Sequence, residues 1–129
     1  MKYSSQELAR YNKNPFPLNG SFDFSSRITK DSDLLGVGKV SCTGTGQEVR
    51  DQVYLIKLKI TGNLILEDAV SLKEVNYPLD ISVNELVSFT ETKDKDIIVL
   101  ENNVLDLNEL VWQYCYLSRP YSYTKYKEE

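Results

Sequence analysis

Histidine is absent from this chain. That removes the side chain that most often moves protons or binds metals near neutral pH. A Cys–His hydrolase is therefore impossible as the sequence is written. Cysteine is scarce: Cys42 and Cys115 stand far apart. A reducing compartment keeps both as thiols, and their simplest use is as small buried apolar groups. Glycine occurs 6 times and proline 4 times, and neither is clustered into a low-complexity linker. No run approaches the roughly 18 apolar residues a membrane helix needs. The longest apolar stretches, around Val53–Ile60 and Ile97–Leu100, carry polar residues in or beside them. The opening Met1-Lys2-Tyr3-Ser4-Ser5-Gln6-Glu7 is polar and lacks a signal peptide's apolar region. These absences predict a cytoplasmic chain with no membrane segment, no metal and no cofactor.

What is present is ordinary for one folded domain. The chain has 129 residues, 41% apolar and 26% charged, enough to line a single core. We read residues 1–129 as one domain, with 119–129 as a tail. The net charge is −4, and its distribution says more than the total. Residues 1–60 hold nine Lys/Arg against six Asp/Glu, whereas residues 61–118 hold three against eleven. An acidic chain repels phosphate backbones at long range, which disfavours bulk binding to nucleic acid. The acidic stretch suits a basic partner, and its plainest alternative is a solvated face that aids solubility.

Periodicity divides the chain. Ser4-Ser5-Gln6-Glu7 has capping-box spacing and predicts a short helix through Tyr11, stopped by Asn14-Pro15-Phe16-Pro17. Gly20, Phe22 and Phe24 alternate with polar neighbours, predicting a first strand over Leu18–Phe24. Residues 25–35 read as a connection with one helical turn. Val37–Gly46 reads as a strand bent or bulged at its glycines, with Gln47–Gln52 as the hairpin connection. Tyr54, Ile56, Leu58 and Ile60 share one face opposite Lys57 and Lys59, a clear strand signal. Gly62 is expected to bend that strand before Leu64–Leu66. Val75, Tyr77, Leu79, Ile81 and Val83 alternate without a break, and Pro78 on the other face argues for an edge position or a bulge. A kink then leads into Glu85–Phe89, and Ile97–Leu100 reads as a short buried strand. Asp106 caps a final helix whose Leu107, Leu110, Val111, Tyr114 and Leu117 recur at helical spacing, widened by Trp112 and Tyr116. The predicted fold is α+β: five or six mainly antiparallel strands, open or barrel-like, with a short N-terminal helix and a C-terminal helix packed on the sheet.

Reactive motifs are few. Gly36-Val37-Gly38-Lys39 echoes a phosphate loop and fails, because Asp33 stands where the first glycine belongs and Val40 follows the lysine. Adjacent acids such as Glu67 and Asp68 are routine on acidic surfaces. The end of the chain interleaves basic and aromatic residues: Arg119, Tyr121, Tyr123 and Lys125. Rings stack on unpaired bases while cations meet phosphates, so these four are the candidate RNA contacts. Their alternative role is a frayed end whose tyrosines pack on the sheet. A second basic cluster comprises Lys2, Arg10, Lys13, Arg27 and Lys30.

The order of segments resembles the YceD family of large ribosomal RNA subunit accumulation proteins, of the Gram-positive type. The resemblance is carried by Asn14-Pro15-Phe16, Gly20–Phe24 and Val40–Gly46. It continues through Ile60-Thr61-Gly62-Asn63-Leu64-Ile65-Leu66, Val75–Leu79 and Val104–Val111. It spans nearly the whole chain. Many members carry a Cys-x-x-Cys pair after the "L-x-L" segment, where this chain has Asp68 and Ser71, so no metal role follows here. The resemblance implies a part in accumulating or processing large-subunit ribosomal RNA and a link to a large-subunit ribosomal protein. It supplies no catalytic residue.

Two functions are expected on these grounds. One is a non-enzymatic assembly factor that binds a ribosomal protein or a pre-ribosomal particle, with Glu67, Asp68, Asp106 and Glu109 as candidate contacts. The other is a module that binds single-stranded ribosomal RNA directly through its basic and aromatic ends.

Overall fold

A computed structural model describes residues 2–28 and 34–119. Its elements are β1 (Lys2–Ser4), α1 (Ser5–Ala9), β2 (Phe16–Pro17), β3 (Gly20–Phe22), β4 (Gly36–Val37), β5 (Val40–Arg50), β6 (Val53–Glu67), β7 (Glu74–Ser88), β8 (Ile97–Val99), β9 (Val104–Asp106) and α2 (Leu107–Leu117). Short 3-10 turns lie at Ser25–Arg27 and Glu101–Asn103.

The main sheet runs β2-β5-β6-β7-β8, with β3 also on β5 and β4 also on β6. β2 and β3 share one register along β5, from Phe16 opposite Gly46 to Phe22 opposite Val40. β4 and β5 likewise follow one line along β6. The register slips by one residue between them: Val37 faces Leu64, but Ser41 faces Thr61. Gly38 still keeps the β4 register, its amide donating to the Asn63 carbonyl, so the slip falls at Lys39-Val40 opposite Gly62, within the stretch expected to be bent or bulged. The rest of the ladder is antiparallel, except that β8 joins β7 in parallel. The sheet stays open: among the described residues no strand links β2 or β3 to β8.

β6 and β7 form the spine, an antiparallel pair in unbroken register from Val53–Ser88 to Glu67–Glu74. The period-two pattern explains it. Tyr54, Ile56, Leu58, Ile60, Leu64 and Leu66 are all buried on one face, and Lys57 and Lys59 are exposed on the other. Pairing with β7 runs without interruption through Gly62, and the same register continues from Glu85 to Ser88. Nor is 47–52 a hairpin loop. β5 pairs with β6 as far as Arg50, leaving Asp51-Gln52 as the turn, with Gln52 at φ 63°.

Two glycines of β5 serve close approach rather than bending. A Cβ on Gly44 would lie 2.0 Å from the Lys57 carbonyl oxygen, and one on Gly46 would lie 2.5 Å from the Phe16 ring. Both are far inside contact distance, so a side chain at either position would push adjacent strands apart.

The inner face of the sheet is covered by α2 through Leu107, Leu110, Val111 and Cys115, joined by Leu8 of α1 and Leu105 of β9. Asp106 caps α2 by accepting from the Glu109 amide at 3.3 Å. Ser4 and Glu7 complete the predicted capping box on α1. β1 pairs with β9 in a separate ribbon, Lys2 opposite Asp106, which docks the start of the chain against the root of α2. Two expectations need correction. Ile98 and Val99 of β8 are 39% and 41% exposed, because a three-residue edge strand leaves most of its surface uncovered. Leu117 is 75% exposed, lying at the last position of α2, past the sheet that covers Cys115.

No helix among the described residues is long and apolar enough to cross a membrane.

Candidate functional site

The four acids expected to meet a partner fall in two places. Glu67 and Asp68 end β6, whereas Asp106 and Glu109 open α2. Asp68 is not a surface contact: it is fully buried. Its Oδ1 accepts from the Val70 and Ser71 amides at 2.8 and 2.9 Å. Its own amide donates to the Lys73 carbonyl, and its carbonyl accepts from the Leu72 amide. Asp68 thus shapes the β6–β7 connection from inside, in the manner of an Asx turn. Ser71 contributes its amide to the same oxygen. This loop turns two apolar side chains outward: Val70 is 79% exposed and Leu72 is 67% exposed. Leu72 sits at φ 61°, an uncommon conformation for a branched residue.

Glu109 pairs with Arg27, which arrives from the 3-10 turn after β3. The hydrogen bond from Arg27 holds the Glu109 carboxyl below its ordinary range, and the same bond raises Arg27. Asp106 is committed to its cap, and Glu67 is exposed at the hairpin end.

Of the expected RNA contacts, Tyr121, Tyr123 and Lys125 lie outside the described residues, as does Pro120. Arg119 is placed. Its guanidinium lies 3.8 Å from the Tyr116 ring centroid and donates to the Tyr116 carbonyl at 3.0 Å. It ends an array that the sequence did not reveal. Phe22 and Phe24 stack at 5.5 Å, Phe24 meets Trp112 at 5.2 Å, and Trp112 meets Tyr116 at 5.7 Å. Arg27 covers the Phe24 ring at the other end. The spacing of Trp112, Tyr116 and Arg119 on one helical face was readable, but their union with a β-strand pair needed the fold. Two depressions flank the array. One of about 320 Å³ is lined by Ser21–Phe24, Ser26, Arg27 and Asn108. The other, about 300 Å³, lies among Trp112, Gln113, Tyr116 and Leu117.

Cys42 and Cys115 are buried free thiols. Burial pushes each up to about 11, so at neutral pH both are protonated and weakly nucleophilic. Tyr114 is pushed up to about 12, by burial first and then by the charge and hydrogen bond of Glu85.

These features define an open-sheet α+β domain with an arginine-bracketed aromatic array on one side and a long acidic hairpin on the other. Compared with known proteins, the chain is 24% identical over 123 residues to Uncharacterized protein YlbN of Bacillus subtilis (strain 168), covering 93% of this chain and 71% of that protein. No family model matches the chain, and no solved structure matches it.

Proposed function

We propose that this chain is a non-enzymatic factor in biogenesis of the large ribosomal subunit, acting in the cytoplasm. It supports accumulation or processing of large-subunit RNA by binding a ribosomal protein or a precursor particle. The observation that carries this reading is where the acidic charge falls. The acidic stretch, residues 61–118, builds the second half of β6 and then β7, β8, β9 and α2, and exposes Glu67, Glu74 and Asp80 on the long hairpin, Asp80 being paired with Lys59. A basic protein surface is the natural complement of such a face. The ordered likeness to YceD-family segments points the same way, and the protonated, buried thiols support a role without covalent chemistry.

The test is sucrose-gradient sedimentation of a cell lysate at low salt. The protein should migrate with large-subunit precursors, and cells depleted of it should accumulate less large-subunit RNA. Recovery only at the top of the gradient would overturn the proposal.

A second reading, direct binding of single-stranded RNA, is favoured by the stack of Arg119 on Tyr116 beside Trp112. Its weakness is electrostatic: Arg27 is paired with Glu109, and Asp23 shares its depression. If it holds, changing Tyr121, Tyr123 and Lys125 together to Ala weakens salt-sensitive RNA binding. Unchanged binding in that variant removes the tail from the RNA-binding surface.

A further inference from the structure

We propose that the outer edge of β7, over residues 74–85, is a strand-addition site for an extended basic segment of the partner protein. The proposal rests on the assembly reading above and names its contact surface.

β7 pairs with β6 along all fifteen residues, but its other edge is taken by β8 only at Leu86–Ser88. The phase of that edge follows from two hydrogen bonds. The Ser88 carbonyl accepts from the Leu100 amide, outside the β6–β7 pair, at 2.8 Å. The Phe89 amide donates inward to the Gln52 carbonyl at 3.1 Å. In an antiparallel strand both backbone groups of a residue point the same way, alternating along the chain. With the register unbroken, even-numbered residues of β7 face outward. Pro78 falls in that set, so its missing N–H costs the β6 ladder nothing. Asn76, Asp80, Ser82 and Asn84 then present amide and carbonyl groups to which no described strand is paired.

Proteins usually guard such an edge with lysines or a covering element. β7 carries Glu74, Asp80 and Glu85, and no lysine or arginine. Asp80 is paired with Lys59 of β6, and Glu85 is hydrogen-bonded to Tyr114. The charge a partner strand meets is therefore Glu74, exposed opposite Glu67 at the hairpin end. Self-pairing would bring like charges together there, which is unfavourable. A basic strand would find opposite charges instead. Its alternate side chains would extend the apolar row of Val75, Tyr77 and Ile81, which the core covers only in part. Main-chain bonds would supply affinity and the alternating rows specificity. The occupant is thus an extended segment alternating basic and apolar residues.

The probe is an array of overlapping short peptides tiling the large-subunit ribosomal proteins of Bacillus subtilis, bound by wild type, Ser82→Pro and Glu74→Lys. Ser82→Pro deletes one outward N–H and leaves the β6 ladder intact; Glu74→Lys reverses an exposed charge without touching the backbone or the Lys59–Asp80 pair. Unfolding midpoints identify any variant that fails to fold. We expect wild type to retain basic, alternating peptides, and each variant to lose about tenfold in affinity, the equivalent of one good hydrogen bond or charge contact. Bound peptide should slow hydrogen exchange at Asp80, Ser82 and Asn84. Failure of wild type to retain any peptide, or equal retention by both variants, overturns the site. So does a concentration-dependent dimer that Ser82→Pro abolishes, which would assign the edge to a second copy. If Ser82→Pro still migrates with precursor particles as wild type does, the edge assignment fails while the assembly reading stands.

Discussion

Asp68 shows how far a residue's role can sit from its chemistry on paper. A carboxylate beside another acid at a strand end reads as surface, yet this one is enclosed and accepts two amides of its own loop. Nothing in a single sequence distinguishes it from Glu67, because burial at a hairpin end depends on how the loop closes. Asp68→Ala should leave two loop donors unpaired and cost about 1–3 kcal/mol, read from urea unfolding. Asp68→Asn, which keeps an acceptor oxygen, should cost less. Gly44→Ala belongs to the same scale. Its methyl group would sit against the Lys57 carbonyl, and a loss of about 2–4 kcal/mol is expected from the displaced strand. The buried thiols weaken the fold in alkali. Below pH 9 both folded and unfolded thiols stay protonated, so pH has no leverage through them. From 9 to about 11 the unfolded thiols ionise while the folded ones do not. Stability therefore falls as pH rises through that window. Urea midpoints measured from pH 8 to 11 should show the fall, and a Cys42→Ala, Cys115→Ala double variant should lessen it, the part that persists at the alkaline end coming from the raised tyrosines, Tyr114 foremost.

Among the elements, those with strong internal periodicity were legible. Alternation over Tyr54–Ile60 and Val75–Val83 located β6 and β7, and Ser4 with Glu7 located α1. Asp106 with the following apolar spacing located α2. Glycines were the least legible positions. Gly44, Gly46 and Gly62 suggested interruptions because glycine is permissive, but strand pairing continues through all three. Their small size serves neighbours that only the folded sheet supplies. Three-residue strands such as β1 and β9 carry no period at all, so their pairing was invisible. The aromatic array was hidden for the same reason: Phe24 and Trp112 meet only after a helix is laid on a sheet. The capping of α2 gives a clean contrast. Asp106→Ala removes the acceptor for the Glu109 amide and should cost about 1 kcal/mol. Leu117→Ser, at the exposed end of the same helix, should cost less than about 0.5 kcal/mol. Chemical denaturation of the two variants in parallel checks both.

Taken whole, the molecule is an open sheet with a well-covered face and a long unpaired edge on β7. Among the described residues, β5 and β6 have strand neighbours on both sides, while most of β7 has one. Native-state hydrogen exchange should reproduce this order. Amides of Leu79, Ile81 and Val83, which face β6, should exchange slowly. Those of Asp80, Ser82 and Asn84, interleaved with them, should exchange much faster. A uniform rate along β7 would show that its outer edge is covered. The expected acidic contact surface was only partly legible at this scale. The charge balance of residues 61–118 pointed to it, but Asp68 is enclosed, Glu109 is paired with Arg27 and Asp80 with Lys59, and the other exposed acids divide between the hairpin end at Glu67 and Glu74 and the segment holding Glu91, Asp94, Asp96 and Glu101.

The β1–β9 ribbon has a consequence for how the chain is made. Translation makes residues 2–4 long before their mates at 104–106. The nascent spine can therefore assemble while its opening strand still waits, and α2 settles onto the sheet as a closing event. A stalled chain released before Val104 would carry an uncapped hydrophobic face, an obvious handle for chaperones or proteases.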